Sequence, residues 1–197
     1  MEKIKQFKEL CKNDDLSISS ILGLKKSFEE YYNDIASIKI NNNIPEFIKD
    51  NFITVLHLLI YSVYYRPFNI IAKQHALITL ESALRKKLSV EDGDKDKSLS
   101  TLLRCAVHNE LINIKEINIP LTYPEQQKIQ EKIGKSLAKN EDYNFKDSKK
   151  IYNDKIKLIC NQRNQLAHEI QIEYIDGEVW VKICVDLVNQ LYSDKSL

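Results

Sequence analysis

The sequence predicts an all-α protein. Glycine and proline are scarce, at four each in 197 residues. Apolar residues recur at spacings near 3.6 through most of the chain, the period of a helix with one buried face. The breakers that do occur fall between such stretches, where they bound helices rather than interrupt them. With 43% hydrophobic residues, the chain can bury a core without disulfide or metal staples. It reads as a single domain over residues 1–197, with a helical N-terminal extension at 1–45 and an insertion at about 114–147.

Taken in order, a first helix is expected at 2–12 and a second from Ser17 or Ser19, either of which can act as N-cap, to about Ile38. Asn41-Asn42-Asn43-Ile44-Pro45 breaks the pattern, and Pro45 suits the first turn of a third helix running to about Tyr65. Pro67 opens a fourth, to Leu88. The charged stretch Glu91–Lys97, with Gly93, is a loop. Ser98 or Ser100 caps the next helix, about 99–113. Residues 114–147 hold Pro120 and Pro124, a charged and helical piece from Glu125 to Lys139, and then polar residues with little to bury; they read as an excursion. A long helix covers Lys146 to Ile170. Asp176-Gly177 marks a turn, with a short hairpin expected over 172–181. Trp180, Cys184, Leu187, Val188 and Leu191 fit a terminal amphipathic helix.

Charge and cysteine narrow the function classes. Lys plus Arg is 29 and Asp plus Glu is 28, so a strongly basic field over the whole protein is absent, and nucleic acid could bind only at a local patch. Cys11, Cys105, Cys160 and Cys184 form no C-x-x-C pair and have no histidine at zinc-ligand spacing, so they read as buried, reduced thiols of a cytoplasmic protein. No metal and no cofactor are implied. The N-terminus is charged and lacks the apolar core of a secretory signal. The longest apolar stretch, Ile53 to Tyr65, is interrupted by His57 and Ser62 and is too short to span a bilayer, so no membrane partner is expected.

One helix holds the informative residues. On a wheel of about 100° per residue, Tyr152, Ile156, Ile159, Leu166, Ala167 and Ile170 form a single apolar stripe, and Arg163 falls at its centre. A guanidinium stays charged, so it must either pair with a carboxylate or helix carbonyls, or face a pocket or a subunit interface. Asn164 and His168, four apart, share a flank of that stripe with Asn161. His168 lies roughly 140° around from Arg163 and about 7.5 Å along the axis, near the expected helix end, where the dipole favours imidazolium. An imidazole that changes charge near neutral pH, beside an arginine, suits phosphate chemistry. On the fourth helix, Glu81 lies within roughly 50° of the centre of the Ile70, Leu77, Leu80, Leu84, Leu88 stripe. Two partners are open to it: Arg163, or Arg85 one turn on.

The string Arg163-Asn164-Gln165-Leu166-Ala167-His168 resembles the signature of the HEPN superfamily: an arginine, then a polar residue, and a histidine after four to six intervening positions. Its place toward the end of a long helix, with one more amphipathic helix to follow, is also similar. Upstream, Leu80-Glu81-Ser82-Ala83-Leu84-Arg85 looks like the L-E-x-A-L-R string of many stand-alone HEPN proteins. The likeness spans residue 50 to the end, apart from 114–147. The resemblance implies an antiparallel helical bundle that homodimerises through its motif helices, and a metal-independent endoribonuclease, toxin-like or anti-phage, acting on RNA and held by an antitoxin protein. Arg163, Asn164 and His168 would be catalytic and Glu81 supporting. Other HEPN domains lack activity and serve as dimerisation or nucleotide-binding modules. The tyrosine that some HEPN toxins carry two residues after the histidine is Ile170 here, so the modification made there is not expected.

Further residues are open to plainer readings. His57 and His75 lie on apolar helices and are expected to pack in a core or an interface. Arg104 and His108 share a face and read as surface residues. Lys146, Lys149, Lys150, Lys155 and Lys157 form a solvated face or, for Lys149, Lys150 and Lys157 above all, a rim that contacts RNA phosphates.

Overall fold

The computed structural model describes residues 27–89, 97–117, 146–168 and 177–193, without the side chains of 146–152, 165, 167 and 168. Among the described residues the fold is all-α, with six helices: α1 Phe28–Ala36, α2 Glu46–Tyr61, α3 Pro67–Lys87, α4 Leu99–His108, α5 Lys146–His168 and α6 Gly177–Leu191. The expected helix at 2–12, the loop at 91–96 and the charged helix at 125–139 lie outside the described residues. No helix among those described is long and apolar enough to cross a membrane.

The central element is α3. It packs between α2 and α6, and its Ala72, Ala76, Leu77, Leu80, Ala83 and Leu84 are all buried. Alanines at three of these positions let the neighbouring helices approach closely, while the leucines fill the space between. The terminal helix contributes Trp180, Cys184, Leu187, Val188 and Leu191, the residues its periodicity selected, all buried. Burial pushes the Cys184 thiol well above its ordinary pKa, and the buried Lys73 ammonium lies 5.4 Å from the Trp180 ring centre. From α5, Ile156 and Ile159 join the same continuous core.

Several boundaries differ from expectation, each for a local reason. The helix expected from Ser17 or Ser19 to about Ile38 is described from Phe28 to Ala36, residues 17–26 lying outside the described residues, and Ser27 makes a capping box. Its hydroxyl accepts from the Glu30 N–H, and the Glu30 carboxylate accepts from the Ser27 N–H at 2.7 Å. The third helix ends at Tyr61 rather than Tyr65, with turns through residues 62–64. The helix expected over 99–113 stops at His108. Glu110 takes a left-handed conformation (φ 56°), Glu110 N–H bonds Val107 O at 3.0 Å, and Leu111 N–H bonds Ala106 O at 2.9 Å. That is a Schellman ending made without glycine, so no composition signal marked it.

Residues 114–117 do not belong to the excursion: Ile114 and Ile117 are core residues. What secures them is Lys155 of α5, whose ammonium donates to the carbonyls of Ile114 (3.1 Å), Lys115 (2.9 Å) and Ile117 (2.6 Å). Lys155 is thus engaged by main chain rather than part of a free basic face, and burial pulls its pKa below the usual lysine value. Replacing it by Met keeps the stem and removes the donors. We expect Lys155→Met to lower stability by about 1–3 kcal/mol, the cost of leaving part-buried carbonyls unsatisfied. The check is a shift of the denaturation midpoint at constant slope, with faster amide exchange across 112–117.

The hairpin expected over 172–181 is corrected as well, since residues 177–181 form the first turn of α6. The helix can start here because its first residue lacks a side chain. Gly177 N–H donates to Asn69 Oδ1 of α3 at 2.9 Å, and a Cβ at this position would meet the Asn69 side chain and lie 2.7 Å from its carbonyl oxygen. Gly177→Ala is therefore expected to destabilise by about 1–3 kcal/mol through overpacking, despite the better helix propensity of alanine. A thermal melt checks it: a midpoint at or above that of the parent would mean that α3 and α6 separate there without cost.

Candidate functional site

The candidate site forms where α5 crosses α3, and is built upward from the apolar stripe of α5. Ile156 and Ile159 are fully buried. One turn further on, the stripe emerges: the Arg163 side chain is 42% exposed and Leu166 is half-buried. A charged residue at the centre of an apolar stripe is tolerated here because it is part-exposed and has the Glu81 carboxylate of α3 beside it.

The two partners weighed for Glu81 are both engaged. Its Oε1 pairs with Arg85 Nη2 at 3.0 Å, and its Oε2 lies 3.6 Å from Arg163 Nε. Arg85 is held a second time by the Lys97 carbonyl, at 2.8 Å. Glu81 is only 18% exposed, so it forms a fixed anionic point between two guanidiniums. Its tie to Arg163 is long and uses only Nε, which leaves the terminal guanidinium nitrogens for another acceptor.

Arg163 and Leu166 also line a pocket of about 110 Å³, completed by Gln74, Leu77 and Ile78 of α3. Ile71, Gln74 and Ile78 share one face of α3. The two isoleucines are unusually open for their type, at 44% and 49% exposure. Asn164 is exposed beside the pocket. His168 is the last residue of α5; its side chain, like those of Lys149 and Lys150, lies outside the described residues. Lys157 is exposed.

Cys160 sits one turn before Arg163. It is half-buried rather than buried, and Cys105 is exposed, which corrects the expectation for those two thiols. Burial raises the Cys160 pKa, a hydrogen bond from the Ser100 hydroxyl opposes that, Arg104 lowers it, Glu81 raises it and Arg163 lowers it. The thiol therefore marks a point on which groups from α3, α4 and α5 converge. Sequence reasoning missed Ser100 and Arg104 here, because nothing local to α4 says which helix it packs against. Arg104 and His108 are exposed, as expected of surface residues. His57 and His75 are half-buried, and each has a buried Nε2 with no hydrogen-bond partner among the described residues.

Comparison of the chain with known protein families, with curated protein sequences and with solved structures finds no match.

Proposed function

We propose that this protein is an endoribonuclease of the HEPN type that works as a homodimer, without a metal, on RNA. The observation that carries the reading is the placement of Arg163. It heads an Arg-Asn-x-x-x-His string at the end of a long helix, half-exposed at the rim of a pocket, with one side fixed by Glu81. A guanidinium anchored through Nε presents its remaining donors toward a phosphoryl group, which is the geometry required to stabilise charge that develops there.

In this reading Arg163 neutralises the non-bridging phosphoryl oxygens and Asn164 orients the phosphate or the imidazole. His168 exchanges the proton at the ribose 2′-hydroxyl or at the leaving oxygen. The 2′-oxygen forms a bond to phosphorus as the bond to the 5′-oxygen breaks, leaving a 2′,3′-cyclic phosphate and a free 5′-hydroxyl. Single-stranded RNA, including tRNA loops, is the substrate class, because its 2′-hydroxyl can reach the in-line position.

The dimer would use the face of α3 and α5 around the pocket. The exposure of Ile78 in the pocket with Arg163, and of Ile71 on the same face of α3, supports this, as an apolar patch next to a polar site suits an interface that brings two motif helices together. A role as a toxin or anti-phage effector in the cytoplasm, held in check by an antitoxin protein, belongs to the same proposal. The test is RNA cleavage by the full chain in excess EDTA. Cleavage that disappears in both Arg163→Ala and His168→Ala supports the reading. RNA binding without cleavage makes the protein a non-catalytic module instead.

A further inference from the structure

The pocket beside Arg163 holds more than phosphate chemistry needs. Among the described residues its lining is three aliphatic side chains, one amide and one cation. Leu77 is buried, Leu166 is half-buried and Ile78 is 49% exposed, so the apolar part runs from the core out to the surface. The amide is Gln74, which is exposed and makes no hydrogen bond among the described residues. Apolar walls with one donor and acceptor pair at the edge suit a flat ring that has apolar faces and a hydrogen-bonding rim.

Size narrows the choice of ring. The pocket is about 110 Å³. That is well below the roughly 300–1,000 Å³ of sites that enclose a whole small molecule. It is close to the roughly 150 Å³ of a cavity that takes benzene. The space matches a single ring rather than two fused ones.

Register along α3 supplies a direction. Gln74, Ile78 and Glu81 stand at i, i+4 and i+7, so they share one face. Glu81 carries Arg163 at 3.6 Å from its Oε2, and lies roughly 10 Å along the helix from Gln74. The free amide and the anchored guanidinium thus stand at opposite ends of a strip made by Leu77 and Ile78. A nucleotide has the same order of parts: a base with a polar edge, a sugar, and a phosphate.

We propose that this pocket seats a pyrimidine base of the RNA strand, and that Gln74 pairs with its edge and sets a preference for a pyrimidine beside the phosphate held by Arg163. The amide has an acceptor and donors, and its end can rotate. Uracil gives its N3–H to Gln74 Oε1 while a ring carbonyl accepts from Nε2. Cytosine gives its amino group to Oε1 while its N3 accepts from Nε2. Purines have one ring too many for the space. The identity of the strand rests on the ribonuclease reading. Gln74 determines specificity in this scheme and takes no part in making or breaking bonds.

The experiment is fluorescence-anisotropy titration of the full chain with 2′-O-methyl oligouridylate, oligocytidylate and oligoadenylate of roughly ten nucleotides, a length that single-strand sites engage. These probes lack the 2′-hydroxyl nucleophile, so binding is read apart from cleavage. Both pyrimidine strands are expected to bind about three- to tenfold more tightly than oligoadenylate, the ratio for a net hydrogen bond or so. Gln74→Ala removes that difference and leaves the salt dependence of binding as it was. Arg163→Ala does the reverse. It weakens all three strands, makes the slope of log affinity against log salt shallower by about 0.7, and keeps the base preference.

A pyrimidine preference that survives Gln74→Ala overturns the proposal, since strand flexibility alone can favour pyrimidine runs. So does the absence of any preference in the parent. Sedimentation of the same variant adds a second criterion. If Gln74→Ala shifts self-association and not base preference, Gln74 belongs to an interface and the proposal falls. If the parent shows the Gln74-dependent preference yet never cleaves RNA, the ribonuclease reading fails while the base pocket stands. If it cleaves RNA without regard to base, the pocket fails and the ribonuclease reading stands.

Discussion

His168→Ala is expected to reduce RNA cleavage by about 10²–10⁴-fold, the usual contribution of a positioned general acid or base, while the protein stays folded. The ring is the one group in the Arg163–His168 string that can take up and release a proton near neutral pH. Its removal should therefore flatten one limb of the pH–rate profile as well as lower the rate. A purely structural histidine would do neither, since its loss would scale down activity and stability together. The measurement is single-turnover cleavage in EDTA across pH, beside a thermal melt of the same preparation. Residual cleavage within a few-fold of the parent, with the profile unchanged, would remove His168 from the chemistry.

Arg163→Ala should lower cleavage by about 10²–10³-fold, as expected when one donor to a developing oxyanion is lost. Its effect on stability should be small, and that contrast is the diagnostic part. A fully buried arginine paired with Glu81 would cost about 3–5 kcal/mol to break, because a charge would remain buried without its partner. The pair seen here is different: Arg163 is 42% exposed, its Nε stands 3.6 Å from Glu81, and Glu81 keeps Arg85 at 3.0 Å after the truncation. An exposed pair of that kind contributes less than about 1 kcal/mol. A large loss of stability with no change in RNA cleavage would assign Arg163 to the fold. Arg163→Lys should recover little activity, because an ammonium cannot keep the Nε contact to Glu81 and offer a planar fork to phosphate at the same time.

Together these substitutions separate the proton-handling residue from the charge-stabilising one. Glu81 connects the second of them to the scaffold. It sits on the central helix α3, flanked by the fully buried Leu80, Ala83 and Leu84, so the acceptor that steadies Arg163 is positioned by the core itself. Arg85, closed onto the Lys97 carbonyl, restrains the same carboxylate from the other side.

What the chain determined alone was the information held within single segments. Apolar period made each of the six helices readable; the buried face of α6 contains the residues that the periodicity selected, and that of α3 contains Leu77, Leu80 and Leu84, with Ile70 and Leu88 only part-buried at its ends. It also put Arg163 in the stripe of α5 and Glu81 near the stripe of α3. The capping box at Ser27 and Glu30 is equally local, three residues apart in the chain. The Schellman ending at Glu110 gave no such signal, because a non-glycine residue adopted the left-handed turn.

Tertiary packing alone decided the rest, since contacts between helices depend on which faces meet. Nothing near Lys155 announces three carbonyls from residues 114–117, nothing near Gly177 announces Asn69, and nothing in α4 brings Arg104 to the same thiol as Arg163. Most of all, packing decided that the stripe of α5 is fully buried at Ile159 and only part-covered one turn on, at its arginine. The wheel gives direction around a helix, but how far along its length a neighbouring helix covers it is set by the neighbour.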